Sequence, residues 1–132
     1  FLKPQTYMNL SGESVLPCMD FFKVDVKDIL IIHDELDLPY GMMMFKDGGG
    51  LAGHNGLKSI AQQLGTQDFK RLRLGIGRPN HGDVSSYVLG KFAGDESIAL
   101  EQYLRGVADA INFFVEHGFT KATEQYNKKS LI

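Results

Sequence analysis

The sequence predicts a single α/β domain in which helices cover the faces of a β-sheet. Segments with strand-like patterns alternate along the chain with segments whose apolar residues recur at helical spacing. Glycine-marked breaks separate these segments, and no internal repeat or Pro/Ser-rich linker divides them. The length of 132 residues suffices for one compact domain and is too short for two, so we predict that residues 1–132 form one domain.

The first third of the chain predicts one helix and two strands. Ser11 is a plausible N-cap for a helix over residues 12–22, in which Pro17 should cause a kink or an early end. Residues 29–32 are wholly apolar, which favours a central strand buried on both faces, and residues 42–46 favour the next strand. The predicted apolar face of the helix comprises Val15, Leu16, Met19 and Phe22.

The remainder predicts two main helices, one strand and a final helical turn. Residues 47–56 are too rich in glycine for a regular element, and the helix that follows ends at Gly65. In the strand over residues 69–77, the side chains of Leu72, Leu74 and Ile76 alternate with those of Arg71 and Arg73. A long helix starts at Asp95 or Ser97 and ends before Gly118, and residues 120–125 form the last turn. The apolar face of the long helix comprises Leu100, Leu104, Val107, Ile111 and Phe114.

Composition excludes several classes of protein. The 43% apolar and 23% charged residues exclude a disordered chain, and a net charge of −2 excludes a uniformly basic nucleic-acid coat. The single cysteine, Cys18, cannot form an intrachain disulfide, which fits a reducing compartment. No apolar run approaches the ~18 residues of a membrane-spanning helix. The start at Phe1, without an initiator Met or a signal pattern, suggests the middle of a longer polypeptide.

Polar residues follow the predicted strands, where open α/β sheets collect their ligands. His33, Asp34 and Glu35 come after the apolar strand, and His54 and Asn55 end the glycine-rich loop. An aspartate in such a position can orient a histidine, as carboxylates do in hydrolytic sites. It can also simply cap a loop, and the pattern leaves both interpretations open.

The glycine-rich loop does not match a nucleotide-binding motif well. A P-loop needs Gly-Lys-Ser/Thr, but Gly53 is followed by His54. The glycine spacing of a dinucleotide site is present, but Asp68 lies at the wrong end of the following strand. The glycines do offer exposed N–H groups suited to an extended or anionic ligand, at a helix start that favours negative charge. Asn55 at that start is also a candidate N-cap.

The other polar residues favour a metal-free, non-covalent hydrolase or a binding module. The four histidines lack metal-ligand spacing, and no Gly-x-Ser-x-Gly nucleophile motif occurs. Lys46 and Lys58 flank the glycine-rich loop. Arg71 and Arg73 share a strand face roughly 6–7 Å apart, which suits either a phosphate-binding strip or a solvated strand face.

Five stretches in register resemble bacterial-type peptidyl-tRNA hydrolase: residues 3–12, 33–39, 48–58, 71–79 and 87–90. The resemblance covers essentially all 132 residues. It implies hydrolysis of the ester that joins a peptide to the terminal ribose of tRNA. It also implies a monomeric, cytoplasmic α/β domain with a twisted mixed sheet that acts on peptidyl-tRNA without a cofactor, a metal, a membrane or DNA.

The resemblance also implies roles for individual residues. Asn9 and Asn55 resemble the paired asparagines that hold the substrate's 3′ end and the attacking water. Tyr7 and Met8 resemble the floor under the terminal adenosine or the peptide, and His54 lines the same cleft. Asp34 resembles the carboxylate that keeps the catalytic histidine basic. Lys46 and Arg73 resemble the clamp for tRNA phosphates.

One departure from the family pattern concerns the general base. The family's catalytic histidine and a substrate-checking asparagine lie in an N-terminal segment, whereas this chain begins at the second signature stretch. None of its histidines matches the catalytic one: His33, His54, His81 and His117. We therefore expect the 132 residues alone to be nearly inactive. The alternatives are a non-catalytic tRNA- or ribosome-binding module and, more weakly, a nucleotide-dependent enzyme.

Overall fold

The computed structural model describes residues 1–79, 82–92 and 94–127. It confirms the predicted α/β class, with a mixed sheet flanked by helices. The strands are β1 (Leu30–Glu35), β2 (Met43–Asp47) and β3 (Lys70–Gly75). The helices are α1 (Ser11–Phe22), α2 (Asn55–Leu64), α3 (Val84–Leu89), α4 (Gly94–His117) and α5 (Phe119–Tyr126). Short 3₁₀ turns cover Met8–Leu10 and Val26–Asp28.

The described strands are ordered β1-β3-β2. The Ile76 N–H donates to the Glu35 carbonyl, so the carboxyl ends of β1 and β3 meet and the two strands are parallel. The Gly75 N–H donates to the Met42 carbonyl, which pairs the end of β3 with the start of β2 in the antiparallel sense. The prediction of a central first strand was wrong, because β1 lies at an edge of this order and Ile32 is 42% exposed.

The chain divides into two compact units. The first unit comprises Phe1–Ile31 and Lys46–Arg71, and the second comprises Ile32–Phe45 and Leu72–Ile132. Residues of all three strands therefore occur in both units. The organisation of residues 1–132 as one domain stays a prediction.

The core of the first unit lies between α1 and α2. Its buried residues are Val15, Met19, Leu57, Ile60 and Phe69. The two helices approach closely because the Gly12 N–H donates to Ser59 Oγ at 2.9 Å. A Cβ at Gly12 would lie 2.3 Å from the Ser59 carbonyl oxygen, so only glycine fits there.

Three predictions for helix α1 were wrong. Its N-cap is Leu10, because Ser11 is already helical and its hydroxyl donates backwards to the Met8 carbonyl at 2.7 Å. The helix continues past Pro17 to its predicted end at Phe22, so the proline does not end it early. Phe22 is 67% exposed rather than part of the apolar face.

Helix α4 belongs to the second unit, and its buried stripe includes Val107 as predicted but not Leu104. Tyr103, Val107 and Ala110 are buried, whereas Leu104 is 54% exposed. The Tyr103 hydroxyl finds acceptors beneath the helix, the carbonyls of Met42 at 3.0 Å and Gly75 at 2.9 Å. The six-residue helix α3 was not predicted at all.

Candidate active site

Tyr7, Met8 and Asn9 lie in the exposed turn that precedes α1. Tyr7 is 82% exposed and Met8 is 55% exposed. Besides the Ser11 bond to Met8, the turn is held by a 3.0 Å hydrogen bond between the hydroxyls of Thr6 and Ser14. An aromatic ring, a thioether and a primary amide are therefore presented on a fixed turn.

This turn packs against the start of α2. A Cβ at Gly56 would lie 2.7 Å from Met8 Sδ and 3.0 Å from His54 Cε1. Gly56 is buried, and because it has no side chain it allows Met8 and His54 to approach this closely. Two predicted site segments that are far apart in the sequence are thus brought together within the first unit.

His54, and not Asn55, caps helix α2. The His54 ring accepts the Leu57 N–H at Nδ1 over 3.2 Å, and Asn55 is the first helical residue with an exposed side chain. The N-cap interpretation of Asn55 was therefore wrong. Since Nδ1 accepts this hydrogen bond, its lone pair is committed to the start of α2.

Arg71 organises the glycine-rich loop from the inside. Its guanidinium donates to the carbonyl of Gly48, to that of Gly49 at 2.7 Å and to that of Gly50 at 2.8 Å. The same group lies 5.6 Å from the centroid of the Phe69 ring. Arg71 is only 2% exposed, so it belongs neither to an accessible basic strip nor to a solvated strand face.

Lys46 lies against the same loop. A Cβ at Gly49 would be 2.7 Å from Lys46 Cε and 2.9 Å from Nζ, and the backbone of Gly49 has a φ of +94°. A side chain at position 49 would therefore both strain the backbone and displace the ammonium group. The structure brings Lys46, a predicted site residue, onto the glycine-rich loop.

In the second unit, His33, Asp34 and Glu35 form the last three residues of β1 instead of following it. His33 is 8% exposed, and its Nδ1 donates to the main-chain carbonyl of Asp34 at 2.8 Å. The side chain of Asp34 is half-buried.

Arg73 forms an ion pair in the second unit that the sequence did not reveal. Its Nε donates to Glu35 Oε1 at 2.9 Å, and the side chains of Arg73 and Glu35 are 18% and 10% exposed. The other carboxylate oxygen of Glu35 accepts the Asp37 N–H at 3.2 Å. Glu35, which was not singled out for a role of its own, is thus the counter-ion that fixes Arg73.

The described ranges hold neither a metal-binding cluster nor a membrane-spanning helix. No group of three or more His, Cys, Asp or Glu side chains there could hold a metal ion. No helix there combines the length and apolar character that crossing a bilayer requires. His81 lies outside the described residues.

Comparison with known proteins assigns a family. The family model described as peptidyl-tRNA hydrolase matches residues 1–131. A peptidyl-tRNA hydrolase of Geotalea daltonii is 50% identical over 131 residues, which are 99% of this chain and 69% of that protein. The one of Nitratidesulfovibrio vulgaris is 52% identical over 126 residues, 95% of this chain and 62% of that protein.

A solved structure agrees with the sequence relatives. The crystal structure of peptidyl-tRNA hydrolase from Acinetobacter baumannii matches with a TM-score of 0.82 at 38% identity, over 98% of this chain and 66% of that one. The chain thus spans about two thirds of the length of these relatives. The α/β fold and these likenesses define a member of an enzyme class, the hydrolases. The chain belongs to the peptidyl-tRNA hydrolase family.

Proposed function

We propose that the protein hydrolyses the ester bond of peptidyl-tRNA and releases free tRNA, with water as the nucleophile. The observation that carries this proposal is the packing of the Met8 turn onto the start of α2 at Gly56. That contact gathers an exposed aromatic ring, a thioether and two asparagine-bearing segments on one surface of the first unit. Such a surface suits an adenosine and an acyl ester at the end of an RNA strand.

Asn9 and Asn55 supply the amide groups in this mechanism. Ester hydrolysis needs an oriented water and stabilisation of the negative charge that develops on the carbonyl oxygen. Each asparagine offers an N–H donor and a carbonyl acceptor. Asn55 also stands in the first turn of α2, where the helix dipole favours negative charge. We therefore assign the two amides to the substrate's 3′ end and to the attacking water.

The remaining roles follow the family resemblance. Tyr7 and Met8 form the floor for the terminal adenosine or the peptide, and His54 lines the cleft. Asp34 keeps the general-base histidine basic. Lys46 and Arg73 each bind a tRNA phosphate; Arg73 has five N–H donors, of which Glu35 takes one, so donors remain for a phosphate oxygen.

We propose that the 132 residues by themselves cleave the ester slowly. The ring Nδ1 of His33 donates to a main-chain carbonyl and that of His54 caps a helix, and neither histidine matches the family's general base. Loss of a general base typically lowers the rate by ~10²–10⁴-fold. Single-turnover cleavage by the purified chain at the rate of the Geotalea daltonii relative would contradict this part of the proposal.

The proposal is tested with an N-acetylated aminoacyl-tRNA under single-turnover conditions, with the protein in excess. Asn55→Asp removes the amide donor, and we expect it to lower the cleavage rate by at least about 10²-fold. The midpoint of thermal unfolding should be unchanged or higher, because a carboxylate in the first turn of α2 interacts favourably with the helix dipole.

Asn112→Asp is the matched control, because Asn112 is exposed on α4 and has no proposed role. It should leave the cleavage rate unchanged. Cleavage at the wild-type rate by Asn55→Asp would contradict the assigned role. Cleavage by the wild-type protein no faster than the spontaneous hydrolysis of the substrate would contradict the function.

A non-catalytic tRNA- or ribosome-binding module is the second candidate. It is favoured by the commitment of both His33 and His54 to other hydrogen bonds. Saturable tRNA binding with no detectable ester cleavage would identify it.

The proposed substrate places the protein in the cytoplasm, where translation supplies it. We propose that it acts there as a monomer with no DNA or membrane partner. Light scattering of the purified protein and fractionation of cells that express it test both statements.

A further inference from the structure

Arg71 is a buried cation whose identified hydrogen-bond acceptors are consecutive main-chain carbonyls. Those of Gly48, Gly49 and Gly50 all receive hydrogen bonds from its guanidinium. A buried charge is costly unless it is well hydrogen-bonded, and the planar fork of arginine can serve several acceptors at once. Three successive residues of an exposed loop are thus fixed to one side chain of β3.

This anchoring sets the direction of the loop's N–H groups. A trans peptide places its C=O and the following N–H on opposite sides, and none of the described peptide bonds is cis. Because three carbonyls point towards Arg71, the N–H groups of Gly49, Gly50 and Leu51 point away from it. Gly49 and Gly50 are exposed, so their N–H groups face the solvent side of the loop.

Anchoring by Arg71 also fixes one proposed substrate contact, Lys46, whereas the far end of the loop is held by other contacts. The Lys46 ammonium lies against Gly49, within 2.9 Å of the place a Cβ would take, and Arg71 lies 3.5 Å from that same point. At the far end of the loop, the His54 N–H donates to the Leu51 carbonyl at 2.9 Å, and His54 caps the helix that begins with Asn55. Leu51 itself packs against the core of the first unit.

We propose that Arg71 is a positioning residue that holds the glycine-rich loop so that Lys46 meets the substrate. The inference rests on the proposed function. Arg71 does not touch substrate, since it is buried beneath the loop. It acts through the carbonyls that it binds, and Gly49 is the position at which the loop makes room for Lys46.

Arg71→Lys tests the inference in the otherwise unchanged protein. Lysine keeps the charge but lacks the planar fork, so it cannot bind all three carbonyls. Loosening Lys46 weakens a contact made equally in the bound substrate and the transition state. We therefore expect KM for the N-acetylated aminoacyl-tRNA to rise about tenfold, with kcat within about twofold of wild type. Amide hydrogen exchange should accelerate in residues 47–53 and not in α1.

Gly49→Ala is the second variant and leaves Arg71 intact. A Cβ there displaces the Lys46 ammonium, so KM should rise by a similar factor. Because both changes act on one loop, the double variant should show much less than the product of the two single effects. Arg105→Lys is the control, since Arg105 is exposed on α4 and pairs with Glu101; its kinetics should be unchanged.

The outcomes separate the inference from the proposed function. An inactive wild-type protein overturns the function and this inference with it. An active wild-type protein whose KM is unaffected by Arg71→Lys overturns the inference alone. Exchange that accelerates throughout α1 and α2, with kcat and KM both impaired, also overturns it, because Arg71 would then be a general stabilising residue.

Discussion

The two arginines of β3 act in different ways, although they are two residues apart on the same face of the strand. Arg71, in the first unit, is 2% exposed and binds main-chain carbonyls. Arg73, in the second unit, has a side chain that is 18% exposed and binds the carboxylate of Glu35. A carbonyl is part of the backbone and cannot leave, whereas a carboxylate can yield its place to a phosphate. The same residue type thus binds the backbone in one region and a side-chain carboxylate in the other.

The largest expected effect comes from removing Arg71. Arg71→Met leaves three carbonyls without their donor and should lower the free energy of unfolding by about 2–4 kcal/mol. Urea denaturation followed by circular dichroism measures this. A loss below about 1 kcal/mol would show that the loop carbonyls turn to water freely, which would remove the contrast with Arg73.

Tyr103 extends the comparison, because it is a neutral donor to main-chain carbonyls in the second unit. Tyr103→Phe should lower the free energy of unfolding by about 1–2 kcal/mol. This loss is smaller than that expected for Arg71→Met, because the hydroxyl is a neutral donor and the guanidinium a charged one. In this variant the Gly75 carbonyl loses the Tyr103 donor, whereas the Met42 carbonyl keeps the Gly75 N–H as a donor. An equal or larger loss than that of Arg71→Met would contradict the distinction between charged and neutral donors.

The same tyrosine predicts a pH dependence. Burial, with a smaller contribution from Tyr40, raises the pKa of Tyr103 from 10.0 to about 12. Above pH 10 the unfolded chain releases this proton while the folded chain keeps it, so stability falls as pH rises and levels off above the folded pKa. Denaturation on either side of pH 10 should show a steeper decline for wild type than for Tyr103→Phe. Parallel declines would contradict the prediction.

Removing the Arg73–Glu35 pair as a whole should have a smaller effect on stability. Arg73→Met combined with Glu35→Gln leaves no buried charge behind, and we expect a change of about 1 kcal/mol or less. The salt dependence of tRNA binding should nonetheless become shallower, by about one unit of slope, if Arg73 binds a phosphate. An unchanged slope, measured by filter binding across a salt series, would discard that role.

The smallest effect is expected at the surface of the second unit. Arg78 binds Asp37 at 2.6 Å, but their side chains are 60% and 48% exposed. Because exposed ion pairs are weak, Arg78→Ala should change the free energy of unfolding by no more than about 0.5 kcal/mol. A larger loss would show that the stabilising effect of an ion pair in this chain does not follow the exposure of its side chains.

Local signals in the sequence predicted several elements correctly. Helix α2 ends at Gly65, whose φ of +72° is the left-handed conformation that glycine adopts most easily. The final helix and the strand β2 were also placed within one residue of their observed bounds. Each of these features depends on residues adjacent in the sequence, which is why pattern and turn chemistry suffice.

Predictions that depended on distant partners were less successful. The spacing in α4 fits two adjacent faces. Tyr103 is buried and Leu104 is not, and the contacts of Tyr103 are to residues far away in the sequence: the carbonyls of Met42 and Gly75 and the ring of Tyr40. Likewise, alternation in β3 puts Arg71 and Arg73 on one face, but it does not reveal that Arg71 is buried. Main-chain carbonyls carry no side-chain signature, so the sequence holds no signal for that partnership.

The sequence by itself determined the α/β class, the family and the identities of the candidate site residues, because these depend on periodicity and on motifs read along the chain. Only the tertiary structure decided that the Met8 turn rests on Gly56, that His54 caps α2 and that Arg71 grips the glycine-rich loop. Those contacts join segments far apart in sequence. Their geometry is set by which backbone groups need hydrogen bonds once the core has formed.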